Sequence, residues 1–294
     1  MLPARRDTST PARIRRQARR WQSAAWDLLP ARRKASAPAR LRRRARELLP
    51  AQQLDLPWAR SGAAVATREA VLRFVLKPLL AFYTRRRTTG REKLARVRGP
   101  VILVANHVSH IDTPLILAAL PRRFRRRTVV GAASDYFYRN QVVAMMVSLI
   151  FNTVPMDRRG GGLTKQAAGH VDQLLDRGWN LLLYPEGTRS RNGAPGRLRR
   201  GAAVIAARHH MPIIPIRITG TRAAMPHGRM WPCRMRTRNG SKRHPVSIAF
   251  GDPIAPAEDA LAVIKTVQRF FDNGDQPALT NGQRQLPAAS SSPR

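Results

Sequence analysis

From residue 97 onward, short apolar runs alternate with longer stretches whose apolar residues recur at helical spacing. The runs at 101–105, 129–132, 181–184, 213–219 and 246–250 have strand length and are rich in Val, Ile and Leu, so they predict strands. Residues 112–120, 141–150, 165–176 and 201–209 predict helices, and 258–272 predicts an amphipathic one that buries Leu261, Ile264, Val267 and Phe271. Strands alternating with helices define an α/β domain, expected over 91–272, with a mixed, largely parallel sheet flanked by helices.

Upstream the pattern changes twice. Residues 69–83 are the most apolar stretch of the chain and are followed at once by Arg85, Arg86 and Arg87. Pro78 predicts a kink, and the stretch is too short to span a bilayer. It reads as an interfacial helix over 67–90 with cationic flanks at headgroup level, or as a helix packed under the α/β domain. Residues 1–66 form a basic arm, helical or disordered, that repeats itself: 2–20 aligns without gaps on 29–47 at an offset of 27. After 273 the chain turns to Gln, Pro, Gly and Ser, and 273–294 is expected to be a disordered tail.

Charge narrows the partners. The formal net charge is +37, and only six of the 54 basic residues are lysine. Such a surface favours polyanions: anionic lipid headgroups, acidic carrier proteins or nucleic acid. Nucleic acid is the poorer fit, because aromatics make up 6% of the chain and do not interleave with the basic arm. The single cysteine, Cys233, excludes an internal disulfide. No apolar run reaches the length of a transmembrane helix or a signal peptide, so the expected location is the cytoplasmic face of the cell membrane, peripheral or monotopic.

The candidate chemistry sits at predicted strand ends, where α/β enzymes gather their ligands. The run NHVSHID at 106–112 places His107 five residues before Asp112 at a strand exit. That spacing suits a general base whose tautomer is fixed by a carboxylate, with Asn106 or backbone N–H groups as candidate oxyanion donors. His107, His110 and Asp112 would make a poor metal cage, and no metal is expected. YPEGTRS at 184–190 again follows an apolar run, 181–183. Gly187 there permits close approach, and Arg189 is suited to two-pronged phosphate contact. Arg158, before three glycines, and Arg199, before a predicted helix start, add cations, and MPIIPI at 211–216 supplies a rigid apolar wall for an acyl chain.

These four blocks, NHVSHID, VPMDR at 154–158, YPEGTRS and MPIIPI, appear in an order that resembles the glycerolipid acyltransferase family over residues 90–256. The resemblance implies an O-acyltransferase that moves a fatty acyl group from acyl-CoA or acyl carrier protein to the hydroxyl of a 1-acylglycerol-3-phosphate, without a further cofactor. It implies His107 as base and Asp112 as its partner, with Arg158, Glu186, Gly187, Thr188, Arg189 and Arg199 holding the acceptor. Two departures stand out: Leu198-Arg199 where relatives often carry Phe-Lys, and the repeated basic arm. Other acceptors (glycerol-3-phosphate, a lysophospholipid, a glycolipid) fit the same motifs, and a catalytically idle polyanion-binding protein is the alternative from a different class.

Overall fold

The computed structural model describes residues 57–133, 141–156, 165–190, 193, 196–229, 231–237 and 240–274. In chain order the elements are α1 (Gly62–Val71), α2 (Lys77–Tyr83), β1 (Thr84–Thr89), β2 (Ile102–Ala105), α3 (Asp112–Ala119), α4 (Arg122–Arg125), β3 (Thr128–Ala133), α5 (Gln141–Phe151), β4 (Thr153–Met156), α6 (Lys165–Asp176), β5 (Asn180–Leu183), α7 (Gly201–Arg208), β6 (Ile213–Thr219), α8 (Thr221–Ala224), β7 (Met235–Thr237), β8 (Gly240–Lys242), β9 (His244–Phe250) and α9 (Ala260–Asn273). Seven strands form one sheet in the order β1-β9-β6-β2-β5-β3-β4, and each neighbouring pair is parallel except β6 with β9. The expected mixed, largely parallel sheet flanked by helices is the one observed.

Strand β2 lies between β5 and β6 and is buried on both faces, which is why it reads as a continuous apolar run. Leu103 and Ala105 pack with Leu115 and Ile116 of α3 and Leu80 of α2 on one side. Ile102 and Val104 pack with Leu174 of α6, Ala203 of α7 and Val267 and Phe271 of α9 on the other. Helix α9 starts where Asp259 accepts the N–H groups of Leu261 and Ala262, as an N-cap should.

The apolar helix expected over 67–90 differs in extent: it begins at Gly62, inside the range assigned to the arm, and ends at Tyr83. Residues 84–89 are instead edge strand β1, parallel to β9, so the sheet starts before residue 91. Nothing in the TRRRTT run of β1 alternates, because the strand leaves its arginines in solvent at the sheet edge, where charge guards against strand-on-strand association. Gly90 ends it in a left-handed conformation, and a Cβ there would collide with the Phe250 carbonyl oxygen. Residues 1–56 of the arm and 275–294 of the tail lie outside the described residues.

Between α1 and α2 the helix widens to a π turn at Leu72–Leu76, with the Lys77 N–H donating to the Leu72 carbonyl. Pro78, the next residue, has no N–H to give to the preceding turn, and the wider turn absorbs that loss. Buried Arg68 docks α1: Nη2 donates to the Ala59 carbonyl at 2.6 Å and Nε to the Leu149 carbonyl of α5 at 3.0 Å. Burial, ahead of the neighbouring Arg60, pushes its pKa down to about 10, still charged near neutrality. A two-pronged pair from Arg125 of α4 to Glu69, at 2.8 and 2.7 Å, completes the docking. The result divides the two sequence readings of this segment. Leu72 and Leu80 are buried in the domain, while Phe74, Val75 and Phe82 are 72%, 56% and 55% exposed. Among the described residues, no helix is long and apolar enough to cross a membrane.

Candidate active site

Strands β2 and β5 lie side by side and parallel, so the loops leaving their C-terminal ends meet. The loop after β2 carries His107, and α3 begins with Asp112. Asp112 is fully buried, and its Oδ2 accepts the backbone N–H groups of Val108 and Ser109, both at 2.7 Å. The same oxygen lies 3.0 Å from Nδ1 of His107. With Oδ2 serving as an acceptor for two N–H groups, Nδ1 is the protonated nitrogen, and Nε2 keeps its lone pair for a substrate proton. The loop turns tightly enough to bring a carboxylate five residues away back onto the imidazole.

The loop after β5 supports that pair from two directions. Glu186 is buried, and its Oε1 accepts the backbone N–H of His107 at 2.9 Å while Oε2 accepts that of Gly196 at 2.9 Å. The Ser190 N–H closes the junction on the His107 carbonyl at 2.8 Å. The Tyr184 ring stacks on the His107 ring at 4.1 Å between centroids and 23° between planes. Its hydroxyl meets Oγ1 of Thr113 at 2.7 Å. Burial, with the Asp112 carboxylate second, pushes the Tyr184 phenol above its ordinary range, so it stays neutral beside the imidazole.

His107 lines a cavity of about 930 Å³. Its apolar wall comes from Val130, Gly131 and Ala132 of β3, Val147 and Phe151 of α5, and Met156 of β4. Leu76 and Leu79 of the docked N-terminal helix border it too, as does Trp231. Cations border it as well: the Arg199 guanidinium packs against Gly187, where a Cβ would stand 3.1 Å from Nε. Gly187 has a φ of 68°, so the close approach and the left-handed backbone both call for glycine. His110 lines the cavity and is held down at about 4, first by burial and then by the facing Arg189 guanidinium and His107, so near neutrality it is an uncharged imidazole.

Several expectations need correction. Asn106 is no oxyanion donor, because Nδ2 donates to the Ile218 carbonyl at 2.9 Å and Oδ1 accepts the Ile218 N–H at 2.7 Å, tying β2 to β6. The MPIIPI run does not border the cavity: Ile213, Ile214 and Ile216 are fully buried in β6, and β3, β4 and α5 supply the apolar wall. Glu186 faces backbone N–H groups and lies off the cavity wall, so it holds the His107 backbone from behind. Thr188 is exposed in the turn and, like Arg189, lies off the cavity wall, although the Arg189 charge acts on His110 of that wall. Arg158 lies outside the described residues. Tyr184 is the residue that sequence reasoning passed over, although its place at the head of YPEGTRS at the end of an apolar run put it at the same sheet edge as His107.

The chain is similar to known proteins over the region that carries this site. Residues 85–219 match the family model described as Acyltransferase. Over 139 residues the chain is 29% identical to the chloroplastic 1-acyl-sn-glycerol-3-phosphate acyltransferase BAT2 of Brassica napus, covering 47% of this chain and 38% of that one. A probable 1-acyl-sn-glycerol-3-phosphate acyltransferase of Mycoplasma genitalium is 29% identical over 126 residues, 43% of this chain and 46% of that one. The 1-acyl-sn-glycerophosphate (LPA) acyltransferase PlsC of Thermotoga maritima, a crystal structure, aligns with a TM-score of 0.49 at 23% identity, covering 70% of this chain and 81% of that one. Residues 85–219, which include His107 and Asp112, are thus similar to an acyltransferase domain. The chain spans less than half the length of these two curated relatives.

Proposed function

We propose that this protein transfers a fatty acyl group from an acyl thioester to the free hydroxyl of 1-acylglycerol-3-phosphate, giving phosphatidate for phospholipid synthesis. The carrying observation is the His107–Asp112 pair at the wall of a cavity that is apolar on one side and cationic on the other. The acceptor hydroxyl gives its proton to Nε2 as its oxygen attacks the thioester carbonyl carbon. The carbon–sulfur bond then breaks, and the thiolate takes the proton from the imidazolium. Asp112 stabilises the imidazolium in between. No enzyme nucleophile is needed, because the acceptor itself attacks.

The acyl chain of the donor lies along Val130, Ala132, Val147 and Phe151, and Arg189 and Arg199 pair with the acceptor's phosphate. The acceptor and the product are membrane lipids. Exposed Phe74, Val75 and Phe82 on the docked helix, with Arg85, Arg86 and Arg87 just beyond, suit a peripheral attachment at its cytoplasmic face. Relatives named as 1-acyl-sn-glycerol-3-phosphate acyltransferases support the acceptor. Thiol release from an acyl thioester by the purified chain tests the reading. Release that requires lysophosphatidate supports it. Absence of release with any lysolipid, together with tight salt-sensitive DNA binding, would replace it with the polyanion-binding alternative.

A further inference from the structure

The cavity carries more cationic surface than one phosphate beside His107 requires. Arg200, Val204 and Arg208 follow one another at i, i+4 and i+8, so they fall on one stripe running along α7, and all three line the same cavity as His107. At a rise of 1.5 Å per residue the stripe extends about 12 Å from Arg200 to Arg208. Val204 is 48% exposed at its middle, and the Arg208 side chain 56%. Asp172 of α6 holds Nη1 of Arg208 at 3.0 Å, which fixes the guanidinium at the edge of the groove. Among the described residues that line the cavity, none is acidic.

Reach decides what this stripe binds. In lysophosphatidate the phosphate is only a few bonds from the attacking hydroxyl, so its cations must stand close to His107; Arg199 packs against Gly187, next to the Glu186 that holds the His107 N–H. A donor thioester is different: the phosphate of a 4′-phosphopantetheine arm lies many bonds beyond the sulfur. Its cations must lie farther along a continuous groove. Resting on the acyl-transfer reading above, we infer that the α7 stripe is the subsite for the 4′-phosphopantetheine arm of the donor, with Arg200 and Arg208 pairing with its phosphate and Val204 meeting its methyl-bearing carbons. The thioester then lies at the junction of the groove, His107 and the apolar wall. That arm is common to acyl-CoA and acyl carrier protein.

The test is steady-state kinetics of Arg200→Glu, Arg208→Glu and Val204→Glu with lysophosphatidate and a donor series: acyl-pantetheine, acyl-4′-phosphopantetheine, acyl-CoA and acyl carrier protein. All three positions are exposed, and Val204→Glu sets a carboxylate between the two arginines without removing either. Each variant should raise KM for the phosphate-bearing donors by about tenfold or more, the worth of one charge-assisted hydrogen bond. KM for lysophosphatidate should stay within about twofold, and the penalty should shrink with acyl-pantetheine, which lacks the phosphate. Unchanged KM for every phosphate-bearing donor in all three variants would overturn the subsite while leaving the acyl-transfer reading intact. A wild-type protein inactive with all four donors would instead defeat that reading.

Discussion

The Glu186 carboxylate binds the backbone of His107 rather than a ligand, accepting its N–H at 2.9 Å and spanning to Gly196 with its second oxygen. The family resemblance implied an acceptor contact, whereas the geometry makes Glu186 a residue that positions His107. Glu186→Ala leaves two N–H donors, one half-buried and one on an exposed glycine, without their acceptor, at a cost below the roughly 1–3 kcal/mol of a fully buried donor for each. We expect a lower melting temperature and a fall in kcat larger than any rise in the acceptor's KM. A raised acceptor KM with unchanged stability would return Glu186 to substrate contact.

Asp112→Asn tests the tautomer. Its oxygen can still accept the N–H groups of Val108 and Ser109, but it no longer supplies the charge that fixes Nδ1–H and stabilises the imidazolium. By analogy with catalytic triads, kcat should fall by roughly 10³-fold or more with the fold retained. Near-normal turnover with an unchanged circular dichroism spectrum would remove Asp112 from the mechanism.

Tyr184 offers a separable pair of substitutions. Tyr184→Phe deletes only the hydroxyl that meets Thr113, whereas Tyr184→Ala removes the ring stacked on His107. Stacking contributes roughly 1 kcal/mol beyond area. Its loss should lower kcat by about tenfold or less in the alanine variant, with a smaller change in the phenylalanine one. Equal losses in the two variants would shift the role from the ring to the hydroxyl.

Much of this was legible in the chain because the strands that carry the site are buried on both faces. The runs at 101–105, 181–184 and 213–219 coincide with β2, β5 and β6 to within a residue or two, and the motifs at their ends meet as strand order brings β2 beside β5. Strand β1 was illegible because its residues face solvent, so no hydrophobic signal separates TRRRTT from a charged flank. Asn106 and MPIIPI misled for another reason. An amide beside a catalytic histidine and an apolar run near an apolar ligand look functional in one dimension, and only strand adjacency shows that β6 consumes both.

The cavity wall makes a chain-length prediction. A Cβ on Gly131 would stand 2.7 Å from Cδ2 of Leu183 and 3.1 Å from Cγ of Met156, so Gly131→Ala must push those side chains aside. Since Leu183 and Met156 also line the cavity, the variant should prefer shorter acyl thioesters in a donor-length series. An unaltered length profile would mean that the chain lies elsewhere.

The Glu69–Arg125 pair gives a pH dependence. The Arg125 hydrogen bond outweighs desolvation and holds the Glu69 carboxyl below its ordinary value, so the folded state binds its proton less readily than the unfolded one. Its stabilisation is therefore present above the usual carboxylate range and is lost as pH falls through the folded value. Glu69→Gln should reduce stability near neutrality and make the loss on acidification shallower, read from urea midpoints across pH. Parallel wild-type and variant curves would show that the pair contributes no pH dependence.

The most direct test is single-turnover acyl transfer by His107→Ala, with lysophosphatidate binding measured on the same preparation. An imidazole that takes the hydroxyl proton predicts transfer reduced to near background while lysophosphatidate still binds. Transfer at close to the wild-type rate would contradict it.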